Sequence, residues 1–214
     1  MREAVKRRHT SVVPYPSHVD PSQLGALSLE VVEAKGFRQW SLREVAARVG
    51  VSPNALYRYV PDKETLLILT AEAAARALLA ELSSTPELSG DDDGVVELAR
   101  RFVRFACSRE EAHHAFCAAK PGLDHPSFLA WAELWAFVNG RVRAAVPASG
   151  DAAAFALWAF LQGRVELSRT TAYRAPADAG LEDAVRCLLE GFRRRGPISS
   201  PLPPHARLDD QSDS

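Results

Sequence analysis

Residues 41–64, SLREVAARVGVSPNALYRYVPDKE, leave the chain little choice of local fold. Ser41 stands three residues before Glu44, the spacing of a capping box that closes the first turn of a helix. Leu42, Val45, Ala46 and Val49 then recur at helical spacing and make one apolar face. Gly50 can end that helix, because glycine enters left-handed backbone space without steric cost. Ser52 can cap a second helix, with Pro53 at its first position, where a missing N–H costs nothing. Ala46, Gly50 and Leu56 supply the small residue, turn glycine and apolar anchor that two helices crossing near a right angle require. The pattern is a helix-turn-helix, with its second helix expected from Pro53 to about Tyr59.

The elements around it are also expected to be helical. Asp20-Pro21 caps a helix carrying Leu24, Leu27, Val31 and Ala34, which Gly36 closes, and Phe37 and Trp40 are placed to seal it against the next two. From Lys63 to Leu82 a long helix is expected to turn Leu66, Leu67, Leu69, Ala73, Ala77 and Leu79 inward. Residues 83–93 read as a loop, with Asp91 to Asp93 placed to favour the start of the next helix. Further helices are expected over 94–108, 110–119, 127–146, 152–167 and 181–195, with breaks at Pro121-Gly122 and Pro147 to Gly150. Alternating strand runs are missing. The expected fold is all-α: a three-helix unit with the helix-turn-helix over 20–64, then a larger helical domain over 65–196.

Both ends differ in composition. Residues 1–19 hold Arg2, Lys6, Arg7, Arg8 and His9 and read either as a flexible basic arm that adds phosphate attraction or as plain disorder. Residues 197–214 are rich in Pro, Ser and Asp and read as a disordered tail.

Hydrophobic residues make up 47% and charged residues 25%, an ordinary globular balance. No apolar run reaches the length of a membrane span, and the basic start lacks the apolar core of a signal peptide, so a cytoplasmic location is expected. The net charge of −1 does not by itself point to a polyanion partner, but its distribution is uneven. Residues 1–64 carry ten Lys and Arg against seven Asp and Glu, whereas the remainder carries sixteen against twenty. A mildly basic front on an acidic body fits local contact with phosphates.

With these residues in view, 22–70 resembles the DNA-binding domain of TetR-family transcriptional regulators. The first helix closing as VVEAKGF, followed by SLREVAARVGVSPNALYRYVPDKETLL, follows the family pattern nearly position by position. ALWAFLQGRVELS at 156–168 resembles the segment that names the WHG-type TetR ligand domain; Trp158 and Gly163 stand, while Gln162 replaces the usual His.

That resemblance implies a homodimer that binds double-stranded DNA and responds to a small-molecule effector, with 151–173 and 181–195 forming the subunit interface. It implies a regulator, usually a repressor released from a palindromic operator, and not an enzyme; no cofactor is expected. Ser52, Pro53, Asn54, Ala55 and Arg58 are the candidates for base contact. Asn54 could instead be a first-turn polar residue facing water, and Arg58 could serve phosphates. Ser41, Arg43, Tyr57, Tyr59 and Lys63 are the candidates for phosphate contact; Tyr59 is equally a core aromatic, because Val60 leaves the usual aromatic pair incomplete.

For the effector, Phe102, Phe105, His113, Trp131, Trp135, Trp158 and Gln162 are the candidate lining, apolar and aromatic with a few polar groups. Gln162 is the leading polar candidate, since a buried amide in an apolar helix needs partners. Arg164, Glu166 and Arg169 are expected at the interface or the surface. Two other readings remain. Cys107, His113, His114 and Cys117 could sense a metal or redox state, although no standard zinc spacing completes them. The chain could also be a small-molecule-binding or catalytic protein, or a protein-interaction module, that retains a helix-turn-helix; it contains no nucleophile elbow, phosphate-binding glycine loop or metal-protease motif.

Overall fold

A computed structural model describes residues 20–84, 90–119, 129–170 and 175–196. The basic arm, the tail and the break at Pro121-Gly122 lie outside the described residues. The described residues form α1 (Pro21–Lys35), α2 (Leu42–Val49), α3 (Pro53–Leu56), α4 (Lys63–Ser83), α5 (Asp92–Ser108), α6 (Glu110–Ala118), α7 (Leu129–Ala145), α8 (Gly150–Ser168) and α9 (Leu181–Arg195), with a 3-10 turn at Pro147–Ser149. No strand occurs among them. The fold is all-α, with an N-terminal helix-turn-helix unit and a larger helical body.

Side-chain caps fix the helix starts where the sequence placed them. Asp20, Asp62 and Asp91 accept backbone N–H groups of Ser22, Thr65 and Gly94 at 2.9, 2.7 and 3.1 Å. Each satisfies an otherwise orphaned first-turn donor. At α2 the Ser41 hydroxyl accepts the Glu44 N–H at 3.4 Å and donates to Glu44 Oε2 at 3.0 Å. Gly50, at φ +81°, carries the turn, while the Val51 N–H returns to the Ala46 carbonyl at 2.9 Å.

One continuous apolar core runs from Leu24 in α1 to Leu189 in α9. Its register on α4 departs from the sequence expectation. Leu66, Thr70, Ala74, Ala75, Leu78 and Leu82 are buried, whereas Leu67, Leu69, Ala73, Ala77 and Leu79 are only partly so. A helix wrapped by neighbours on several sides buries more than one stripe, so a single amphipathic face misplaces the inward set. On α1, likewise, Leu27 is half-buried and Ala34 exposed, and the innermost positions go to Leu24, Gly25, Ser28 and Val32.

Two contacts lock α1 onto α4. A Cβ on Gly25 would lie 2.4 Å from the Leu69 carbonyl oxygen, so only glycine permits this approach. Close by in both helices, the buried Thr70 and Ser28 hydroxyls are hydrogen-bonded at 2.7 Å. A third attachment ties the end of α1 to α6: Arg109 grips Glu33 with two bonds of 2.7 and 2.9 Å, and Glu111 Oε2 accepts the Phe37 N–H at 2.6 Å. Such forked, charge-assisted pairs fix orientation as well as distance.

At the other end, α9 is attached to α5 by ion pairs. Arg186 binds Asp93 and Glu182, Arg100 binds Glu182, and Arg193 binds Asp92.

Candidate nucleic-acid interface and interior site

The helix-turn-helix head is built from α2, the turn and α3. Val45, Ala46, Val51, Leu56 and Val60 are buried and hold the two helices together. The Ser52 hydroxyl accepts the Ala55 N–H at 3.2 Å, which fixes the start of α3 with Pro53 at its first position. Regular α-helix ends at Leu56 rather than Tyr59; residues 57–59 continue as turns, with N–H bonds from Arg58 to Ala55 and from Tyr59 to Leu56 at 3.1 and 2.9 Å. This tighter i to i−3 bonding is common at a helix end.

Ser52, Pro53, Asn54, Tyr57 and Arg58 are exposed and Ala55 is half-buried, so the start of α3 presents short polar side chains and one arginine on an open surface. Arg43 is exposed and Ser41 half-buried at the start of α2. Tyr59 is half-buried and packs on the core, and Val60 beside it is fully buried. Lys63 lies across the Trp40 ring at 4.6 Å from its centroid, and its ammonium donates to the Trp40 carbonyl at 3.5 Å. Its charge is therefore held at one place against the head.

In the body, aromatic rings converge between α5, α6, α7 and α8. Phe116 stacks on Trp131 at 4.0 Å and 12°, and Trp158 meets Phe102, Phe116 and Trp135 edge-on at 5.2, 6.0 and 6.4 Å. His113 joins them, edge-on to Phe102 at 5.8 Å. Phe105 stands apart from these ring contacts, with the Arg109 guanidinium over its face at 5.3 Å.

His113 is fully buried and tied on both nitrogens. Arg169 Nη1 donates to Nδ1 at 3.1 Å, and Nε2 lies 2.9 Å from Gln162 Oε1. Arginine can only donate, so Nδ1 must accept and the proton sits on Nε2. Burial, with the Arg169 charge adding to it, lowers the His113 pKa to about 4, and the ring is neutral near pH 7. Gln162 thus spends its carbonyl oxygen on His113 and on the Cys117 thiol at 3.6 Å. The polar partner sought for the amide is supplied by α6.

Arg169 corrects one expectation. Instead of serving the surface, it is only 17% exposed and turns inward to His113, the Ala106 carbonyl at 2.9 Å and Glu166 at 2.8 Å. A run of alternating charges at a helix end gives no sign of which member folds under. Arg164 also turns back, to the carbonyls of Ala177 at 2.6 Å and Ala179.

The four residues of the metal or redox reading do not converge. Cys117 is near His113, but His114 faces Phe37, Glu110 and Glu111, and Cys107 lines a groove with residues at the start of α9. Among the described residues no group of three His, Cys, Asp or Glu could hold a metal ion. Burial raises the Cys107 thiol and pushes Cys117 up to about 11, which keeps both in the unreactive protonated form.

Residues 26–69 match the family of bacterial regulatory proteins, tetR family. The chain carries a TetR-family N-terminal domain. A comparison with curated protein sequences gave no match. Among solved structures, a possible TetR family transcriptional regulator from Streptomyces coelicolor is similar over 82% of this chain and 100% of its own, at 20% identity and a TM-score of 0.60. A TetR variant from Acinetobacter baumannii in complex with minocycline covers 85% of this chain and 100% of its own, at 21% identity and TM-score 0.58. FadR from Bacillus subtilis in complex with stearoyl-CoA covers 79% of this chain and 97% of its own, at 13% identity and TM-score 0.57. These likenesses extend the TetR-type architecture through the helical body. No helix among the described residues is long and apolar enough to cross a membrane.

Proposed function

We propose that this protein is a homodimeric, ligand-responsive DNA-binding regulator that acts in the cytoplasm as a repressor and releases a palindromic operator when a small apolar effector binds. The observation that carries the reading is the exposed face of Ser52, Pro53, Asn54 and Arg58, set on a capped helix start inside the segment that matches the TetR family. Asn54 would pair with adenine and Arg58 with guanine in the major groove, with Ser52, Pro53 and Ala55 shaping the approach. Ser41, Arg43, Tyr57, Tyr59 and Lys63 would hold flanking phosphates.

The head corresponds to residues 20–64 and the effector and dimerisation domain to 65–196. The effector would sit among Phe102, Phe105, Trp131, Trp135 and Trp158, with His113 and Gln162 as polar fixtures. Solved relatives in complex with minocycline and stearoyl-CoA support a body of this kind as a receptor for small molecules. Coupling follows from attachments: α6 carries His113 on its inner side and holds the head through Glu111 and Arg109 at its start. A ligand that shifts His113 against Gln162 would therefore move the head, together with α4 and α6, against α8.

The dimer would form through α8 and α9. Phe155 and Leu167 are 57% and 50% exposed, and with Ala159 and Gly163 they recur every four residues along one face of α8. A face of this kind is costly to leave in water and fits a partner helix.

Selection of random DNA by the purified full-length protein tests the reading. Enrichment of a palindrome with fixed half-site spacing is the expected result; no enrichment overturns it.

A further inference from the structure

The hydrogen-bond polarity of the interior polar cluster is set from one end. Arg169 can only donate, and two carboxylates answer its charge, Glu166 at 2.8 Å and Glu110 at 3.5 Å. Its Nη1 donates to His113 Nδ1 at 3.1 Å, which leaves the ring proton on Nε2. The Gln162 atom 2.9 Å from that Nε2–H must then be the carbonyl oxygen, since a flipped amide would set N–H against N–H. The Cys117 thiol gives a second donor to the same oxygen at 3.6 Å. Gln162 Oε1 is spent, and what the amide has left to offer is donors alone. Nε2 has no hydrogen-bond partner, yet it is not sealed in: it keeps accessible surface, and Gln162 is partly exposed. Trp158 stands one turn earlier on the same face of α8. Trp131, Trp135 and Trp158 are partly exposed as well, so three indole rings and one amide N–H₂ group make the accessible wall of the cluster.

On the reading of this cluster as the effector site, we propose that it selects an uncharged hydrogen-bond acceptor on a planar aromatic body, such as an aryl ketone. The carbonyl oxygen would accept from Gln162 Nε2, and the ring would lie against the exposed parts of Trp131, Trp135 and Trp158. A carboxylate fits less well, because Glu166 and Glu110 already balance Arg169 and no unmatched cation repays its desolvation. A protonated amine fits worse, because the amide turns only donors toward it. Arg169 touches no part of such a ligand. It acts through His113, by fixing which end of the Gln162 amide the ligand meets.

Titration calorimetry of the full-length protein at neutral pH with acetylnaphthalene, isopropylnaphthalene, naphthoate and naphthylethylamine tests it. The ketone is expected to bind saturably, and the anion and the amine at least about tenfold more weakly. The decisive quantity is the ratio of ketone to hydrocarbon affinity, since the two have nearly the same shape. Gln162→Glu keeps an acceptor for His113 Nε2–H but offers the ligand no N–H, and should lower that ratio at least about fivefold. Gln162→Leu should lower it about threefold and decides alone if Gln162→Glu does not fold. Nitrogen NMR of the imidazole rings, with His113→Gln to assign the signal, should show a neutral His113 protonated on Nε2. A proton on Nδ1, a ratio indifferent to Gln162, or tighter binding of the anion or the amine would overturn the proposal. Binding of the hydrocarbon with an indifferent ratio would leave the effector site standing and remove only its acceptor chemistry. No binding by ketone or hydrocarbon would remove both. No DNA enters these measurements, so the operator reading fails or stands separately.

Discussion

The backbone of Gly25 in α1 approaches the Leu69 carbonyl of α4 so closely that a methyl group on Gly25 would stand 2.4 Å from the oxygen. Backbone lines both sides of this contact, so no side chain can rotate away to make room. Gly25→Ala is therefore expected to destabilise the protein by about 1–3 kcal/mol, even though alanine favours a helix. Thermal unfolding should show a lower Tm, whereas Gly140→Ala, at an open position within α7, should not lower it. A Gly25→Ala protein as stable as the parent would show that the two helices can part without loss.

His113 should make stability depend on pH. Its folded pKa of about 4 lies below the ordinary 6.5, so the unfolded chain takes up a proton first as pH falls. Its contribution is complete above about pH 6.5 and is lost as pH drops toward 4, amounting to about 2 kcal/mol by pH 5. Denaturant unfolding at a series of pH values, compared with His113→Gln, checks this. The variant should show a flatter profile over that range, and identical profiles would refute the assignment.

Asn54 and Lys63 should fail in different ways. Asn54→Ala is expected to cost about 1–3 kcal/mol at one base pair and to relax preference there. Lys63→Ala should weaken binding to every sequence and lower the salt slope by about 1. Salt titrations against matched and mismatched operators separate the two, and a uniform loss from Asn54→Ala would remove it from the bases. Because Lys63 also covers Trp40, its loss should reduce stability slightly, by about 0.5–1 kcal/mol.

Phe155→Glu should separate assembly from folding. The side chain is more than half exposed within one chain, so a charge there costs the monomer little. Light scattering should report a monomer with an unchanged helical spectrum and lost operator affinity. A dimer that persists would move the interface off this face of α8.

The helix-turn-helix head was legible because its determinants are local. Ser41, Gly50, Ser52 and Pro53 act on backbone within a few residues, and caps and turn glycines work the same way in any chain. The body was legible as helices but not as a site. Arg169 reaches back 56 residues to His113, and Glu72 reaches forward 58 residues to Ala130, distances over which spacing carries no information. Glu72 left one trace, a lone acid inside TAEAAARALLA, where an amphipathic reading would have wanted alanine or leucine. The early end of α3 had no comparable trace, since Tyr57 to Tyr59 carry no helix breaker.

The attachments at Gly25, at Thr70 and at the Arg109–Glu33 fork act together as a three-point mount. A head bolted at three points cannot swivel to accommodate a target of the wrong length. In the proposed dimer the body would then serve as a caliper: the gap between half-sites would be measured by the stiffness of α1, α4 and α6, with no base touched. Inserting a single base pair at the operator centre should then cost more affinity than altering any one contacted base.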